Sequence, residues 1–184
     1  MLLLSIDVGI RNLAYIIIKI DNNSHIILEW KIIELCDKSV NASKVNNIEL
    51  GITMKEKLKD LIIRYKFDKI LIENQIGQNA IKMKSIQNMI VMYFITENYT
   101  ENEIINYNAI NKLKCFTSGK TTYSQRKKIS KEITGKLCDK YYIDYIECYK
   151  NSKKKDDLAD CLLQVLDYMK KNKYIEEEYL TSIL

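Results

Sequence analysis

Two apolar runs open the chain, Leu2–Ile6 and Leu13–Ile18, with Gly9 and Asn12 between them. Branched apolar residues on either side of a short turn predict a β-hairpin that begins at the first residue. Leu2, Leu3, Leu4 and Ile6 leave the leading strand no polar face, so it reads as a central strand covered on both sides. The turn cluster Asp21–Ser24 precedes a third strand over His25–Leu35, which completes an antiparallel meander. Lys38–Asn47 is polar and reads as a loop. From Ile48, the residues Ile52, Leu58, Leu61, Ile62 and Tyr65 recur at helical spacing and stop near Phe67. Asp68–Gln75 is a short apolar run after that helix, so it is expected to return parallel to the first strand. Ile81, Met83, Ile86, Met89, Ile90 and Tyr93 mark a second amphipathic helix, whose methionine stripe reads as core or subunit contact. Ile104–Tyr107 fits a short fifth strand. Gln125–Tyr141 and the run holding Leu158, Cys161, Leu162, Val165 and Met169 complete the helices. The expectation is an α/β fold with a mixed five-stranded sheet, a three-strand meander plus parallel strands, flanked by helices. At 184 residues it is expected to be a single domain over 1–184.

Charges interrupt this pattern at three places. Asp7 ends the first strand, where an ionised group in a covered sheet calls for a cation; capping its own turn is the alternative. Glu73 ends the second buried strand and is expected beside Asp7, because neighbouring parallel strands present their carboxyl ends on one edge. A solvated strand end is the alternative for Glu73. Asp157 lies at the border of the last helix's apolar stripe, with Asp160 one turn on and Asp156 further round, placed to favour the helix N-terminus. Four converging carboxylates repel by about 4 kcal/mol per pair at ~4 Å in an effective dielectric near 20. Two divalent cations would relieve that repulsion, and oxygen-only ligation selects Mg²⁺, with Mn²⁺ as a substitute. A pair about 4 Å apart suits phosphodiester cleavage.

Composition adds less. The absence of proline, with 13 tyrosines and abundant Ile, Asn and Lys, reads as coding bias of an AT-rich genome. Lys and Arg number 29 against 24 acids, a net charge of +5 whose distribution matters more than its size. Between Lys112 and Lys131 stand Lys112, Lys114, Lys120, Arg126, Lys127, Lys128 and Lys131 with no acid, interleaved with hydroxyls and Tyr123. That stretch reads as a phosphate-binding surface, against the alternative of a solvated charged face. Gly119-Lys120-Thr121 lacks the first glycine of a phosphate-binding P-loop and no apolar strand leads into it, so no nucleotide triphosphate site is expected. The five cysteines are unpaired in spacing and His25 is the only histidine, which excludes a zinc site and a disulfide framework. The opening run is broken by Asp7 and has no basic residue before it, so neither a signal peptide nor a membrane span is expected, and a reducing compartment follows.

Ser5-Ile-Asp7-Val-Gly9-Ile-Arg-Asn-Leu-Ala14, Ile72-Glu73-Asn-Gln75 and Asp156-Asp157-Leu-Ala-Asp160 resemble, in order and spacing, the three acidic motifs of the RuvC-type Holliday-junction resolvases. Ser118-Gly119 with Tyr123 and Gln125-Arg-Lys-Lys128 is most similar to the poxvirus branch and its relatives in other large cytoplasmic DNA viruses. The cruciform-cutting enzymes of yeast mitochondria share the opening motif and are the nearest alternative. The resemblance covers about residues 1–170 and implies an RNase H-like fold, a homodimer with the methionine-bearing helix as its face, and Mg²⁺-dependent paired nicking of four-way DNA junctions. It implies Asp7, Glu73, Asp157 and Asp160 as catalytic and metal-binding acids, two ions per site, and Lys114, Lys120, Tyr123, Arg126, Lys127 and Lys128 as DNA-binding residues. Lys120, Lys127 and Lys128 compete for one active-site lysine of the bacterial members. Action in the host cytoplasm, in recombination or viral genome concatemer resolution, would follow, or in mitochondria under the alternative. Three other readings stand beside it: an RNase H-like nuclease acting on RNA:DNA hybrids, a catalytically silent junction-binding protein, and an actin-like ATPase. The last needs roughly twice this length and a second Asp-x-Gly loop.

Overall fold

The computed structural model describes residues 1–22, 24–77, 80–108, 112, 113, 116 and 121–182, apart from the side chains of Ser43 and Thr181. Five strands, β1 (Leu2–Asp7), β2 (Asn12–Asp21), β3 (Ser24–Glu34), β4 (Lys69–Asn74) and β5 (Ile104–Asn108), form one sheet in the order β3-β2-β1-β4-β5. The first three pair antiparallel as the predicted meander, and β4 and β5 add in parallel. Both crossovers that bring the chain back parallel contain a helix, α1 (Asn47–Arg64) before β4 and α2 (Ile81–Thr96) before β5. The remaining helices are α3 (Tyr123–Lys140), α4 (Ile146–Asn151), α5 (Lys155–Lys171) and α6 (Glu177–Thr181).

The alternation of β1 assigns its side chains to two cores. Leu4, Ile6 and Val8 join Leu50, Leu58, Ile86 and Ile90 of α1 and α2, whereas Leu3 packs with Leu137 of α3 and Leu162 and Leu166 of α5. Ser5, on the α5 side, donates from Oγ to the Cys161 carbonyl at 2.9 Å and accepts from Gln164 Nε2 at 3.1 Å. A small polar residue therefore lets α5 lie close on the sheet. Gly9 is required by its turn, since a Cβ there would meet the Asn12 carbonyl oxygen at 2.4 Å.

Most boundaries fall within a residue or two of expectation, α4 and α6 are not among the expected helices, and two further differences have a local cause. The loop over Lys38–Asn47 holds a single 3₁₀ turn at Ala42–Lys44. The helix expected from Gln125 starts at Tyr123 because Thr122 and Gln125 form a capping box, the side chain of each bonded to the other's backbone N–H at 3.3 and 2.8 Å. No helix among the described residues is long and apolar enough to cross a membrane. Cys36, Cys138, Cys148 and Cys161 are free thiols.

Candidate active site

Because β1 and β4 run parallel with Ile6 opposite Ile72, the next residue of each, Asp7 and Glu73, emerges at the same edge of the sheet. Alternation turns both carboxylates toward α5, where Asp160 comes to meet them. One oxygen from each of Asp7, Glu73 and Asp160 lies within 4.8 Å of the others. The ammonium of Lys112 sits among them, 2.8 Å from Glu73 Oε1, 3.3 Å from Asp7 Oδ1 and 3.5 Å from Asp160 Oδ2. Its side chain is 4 % exposed.

Burial pushes the Asp7 carboxyl well above the ordinary range, a shift that Lys112 opposes and the neighbouring Glu73 and Asp160 reinforce. Burial raises Glu73 as well, but the Lys112 ammonium and hydrogen bonds from Lys112 and Gln75 outweigh it and hold this carboxyl below its usual value. Of the two coupled acids, Asp7 therefore keeps the proton longer. Asp160 is raised, chiefly by burial. Burial lowers Lys112, but Asp7, Glu73 and Asp160 together lift it above its ordinary value, so it stays an ammonium. The donor set is oxygen from carboxylates, with neither histidine nor cysteine, which suits a hard divalent cation.

The structure places the two α5 acids that the sequence assigns together at different distances from the other carboxylates. Asp160, expected beyond the border of the apolar face, is the one that joins Asp7 and Glu73. Asp157 lines the groove over the cluster, with Lys154 Nζ 3.7 Å away, and burial followed by Asp156 raises its carboxyl. Asp156, in the first turn as expected, turns aside and accepts from Lys127 Nζ at 2.7 Å, while Lys154 occupies the cap position without a side-chain bond. The apolar stripe is also wider than its spacing indicated, because every residue from Cys161 to Met169 is buried.

A groove of about 550 Å³ runs over the acids, walled by Gly9, Arg11 and Asn12 of the first turn, Met83 of α2, and Tyr123 and Lys127 of α3. Tyr123 is 66 % exposed, and the Lys127 ammonium lies 5.2 Å from the centre of its ring. The Asp156 carboxylate and the Tyr123 contact hold Lys127 above its ordinary value, so its charge is already met within the protein. Arg126 donates from Nη1 to the Thr121 carbonyl at 2.9 Å. Lys128 is exposed, with Glu132 at 3.8 Å. Lys114 and Lys120 lie outside the described residues.

The sequence profile of the poxvirus A22 protein family matches residues 1–172. The chain belongs to that family. Among solved structures, the fowlpox virus resolvase in complex with its substrate Holliday junction DNA is 22 % identical over 94 % of this chain and 99 % of that one, with a TM-score of 0.64. T. thermophilus RuvC in complex with a Holliday junction substrate is 13 % identical over 94 % of this chain and 96 % of that one, with a TM-score of 0.64. The yeast mitochondrial Holliday junction resolvase is 21 % identical over 98 % of this chain and 82 % of that one, with a TM-score of 0.58. These likenesses establish the RNase H-like fold expected from the motifs. A comparison with curated protein sequences gave no match.

In this chain of the A22 family, one member of the site escaped the sequence reading. Lys112 belongs to the basic run that the sequence reads as a phosphate-binding surface, whereas the structure buries it among the acids. A signal was present: Lys112 follows β5, which runs parallel to β4 and so delivers the chain to the edge that carries Asp7 and Glu73.

Proposed function

We propose that the chain is a Holliday-junction resolvase, a structure-selective endonuclease that makes paired, symmetric nicks in four-way DNA. The single observation that carries this reading is the convergence of Asp7, Glu73 and Asp160 around Lys112, at the floor of a groove walled by the basic helix α3. Asp7, Glu73, Asp157 and Asp160 are assigned to hold two Mg²⁺ ions, for which Mn²⁺ can substitute. When bound, these supply an activated water and neutralise charge on the reacting phosphate. The Lys112 ammonium, fixed by three carboxylates, offers a positive group to the same phosphate. Tyr123, Arg126, Lys127 and Lys128, with Lys114 and Lys120, are assigned to the DNA backbone, where they set position rather than sequence. The likeness to two resolvases solved with junction DNA supports the substrate assignment.

A four-way junction is nearly two-fold symmetric, so two equivalent cuts call for two copies of the site. The outward side of α2, with Ile81, Met92 and Ile95 exposed, is the face assigned to a homodimer. The whole of 1–184 is taken as one nuclease domain, and the poxvirus family supports action in the cytoplasm of the host cell, on branched viral DNA.

The test is incubation with a synthetic immobile four-way junction, with Mg²⁺ or with EDTA, in competition with linear duplex and an RNA:DNA hybrid. Paired nicks at symmetric positions that require the metal are expected. Preferred cutting of the hybrid's RNA strand would favour a different RNase H-like activity, and junction binding without cutting would leave a silent binder.

A further inference from the structure

Between Glu73, the next-to-last residue of β4, and Gly77, whose φ of +118° turns the chain away from the sheet, stands Gln75. Its side chain reaches back: Nε2 donates to Glu73 Oε2 at 2.8 Å and to the Val8 carbonyl at 3.4 Å. Val8 directly follows Asp7, so one amide ties together the ends of both acid-bearing strands. The backbone N–H of Gln75 is itself held, donating to Gln87 Oε1 of α2 at 2.9 Å. Gln87 is 1 % exposed and also donates from Nε2 to Asn106 Oδ1 of β5 at 2.7 Å and to Asn74 Oδ1 at 3.4 Å. Lys84 Nζ completes the group, 3.0 Å from Asn74 Oδ1 and 3.1 Å from Gln87 Oε1. On the inner face of α2, beside Ile86 and Ile90, an apolar side chain would avoid the cost of burying an amide. What Gln87 provides instead is an anchor for the strand end.

We infer that Gln75 and Gln87 are positioning residues for the metal-binding carboxylate of Glu73. Gln87 fixes the backbone of Gln75, and the Gln75 amide holds Glu73 Oε2, which leaves Oε1 directed into the acid cluster, where it meets Lys112. Partners in the outer layer of a metal site typically change affinity by about 10–100-fold. The inference rests on the divalent-cation reading proposed above.

The experiment is a calorimetric Mn²⁺ titration of the full-length, EDTA-stripped protein, with Gln75→Ala, Gln87→Met and Gln87→Glu, alongside the Mg²⁺ concentration for half-maximal junction cutting. Gln75→Ala and Gln87→Met should weaken Mn²⁺ binding by roughly 10-fold or more and raise the Mg²⁺ midpoint by the same factor. Gln87→Glu gives up the donor to Asn106 but keeps an acceptor for the Gln75 N–H beside the Lys84 ammonium, so it should bind Mn²⁺ more tightly than Gln87→Met, which a loss of packing alone would not reproduce. Junction binding in EDTA should not change in any of them. A folded Gln75→Ala that binds Mn²⁺ as wild type does overturns the inference, even if Gln87→Met fails to fold. A wild-type protein that binds no Mn²⁺ overturns both this inference and the metal reading. One that binds Mn²⁺ without cutting junctions overturns the functional reading alone, and the comparison of affinities still decides this one.

Discussion

The Lys112 ammonium stands 2.8 Å from Glu73 Oε1 and 3.3 Å from Asp7 Oδ1, so a lysine from the far side of the sheet's parallel half balances the acids that the two central strands carry. Lys112→Met should leave those carboxylates without their cation. Removing one partner of a buried ion pair costs up to about 3–5 kcal/mol, and urea unfolding in EDTA at pH 8 should show a loss of that order. The loss should shrink toward pH 5 as the acids take up protons, and shrink again when Mg²⁺ is added. Junction cutting should fall by roughly 100-fold or more. A variant as stable as wild type in EDTA would remove Lys112 from the electrostatics of the site.

Single isosteric changes at the acids should separate chemistry from binding. Asp7→Asn, Glu73→Gln and Asp160→Asn should lower Mg²⁺-dependent cutting by orders of magnitude while junction binding persists, as gel shift in EDTA would show. Asp157→Asn is the diagnostic case, because Asp157 lines the groove without joining the close group of three. A comparable loss there supports a second ion. Cutting within several-fold of wild type would reduce the site to one.

The buried Asp7 makes the metal-free protein pH-sensitive in a defined direction. Its folded carboxyl is held above the ordinary value, chiefly by burial. Below about pH 4 both folded and unfolded chains carry the proton. As the pH rises the unfolded chain ionises first, so stability falls, by at most about 1.4 kcal/mol per pH unit for one group, until the folded carboxyl ionises too. Asp7→Asn should flatten that decline in EDTA, leaving the share that belongs to Asp157 and Asp160, and should raise the urea midpoint near neutral pH. An unchanged slope between pH 4 and 8 would contradict the buried assignment.

Lys127 and Asp156 offer a test of the basic face. Since Asp156 already meets the charge of Lys127, Lys128→Ala should reduce the slope of log affinity against log salt by about 0.9, and Lys127→Ala by less. In an Asp156→Asn background the two lysines should become equivalent. Asp156→Asn alone should bind junctions a few-fold more tightly and cut them within several-fold of wild type. Equal effects of the two lysines in the wild-type background would mean that the ion pair opens freely in solution.

The meander, the hairpin and the pairing of Asp7 with Glu73 were legible because each rests on a local rule: apolar runs without a polar face, a glycine turn, and a helical crossover that returns parallel. Asp157 and Asp160 stood out together beside an apolar stripe, which does not tell which of them reaches Asp7 and Glu73. Helical angles were measured from an apolar stripe, and α5 is buried nearly all round, with Gln164 bonded to the Ile6 and Leu71 carbonyls and Asp167 beside Tyr107 and Lys171. Polar residues that bond inside a core disguise its width. Lys112 was hidden for a different reason: in a run of like charges nothing local marks the one that turns inward. Gln87 carried no signal either, since its partners Gln75, Asn74 and Asn106 lie on other elements.

The burial of α5 also bears on how such a protein can diversify. Asp157 and Asp160 ride on a helix that packs against β1, β2, β3 and α3, with Trp30 donating to its Leu158 carbonyl at 3.1 Å. Sliding or rotating that helix would disturb both the core and the chemistry, so the reactive centre has little freedom to drift. Tyr123 and Lys128, by contrast, meet solvent on α3, whose outer face can change without touching the acids. Inherited variation in substrate preference should therefore accumulate on α3 and leave α5 as a fixed inheritance.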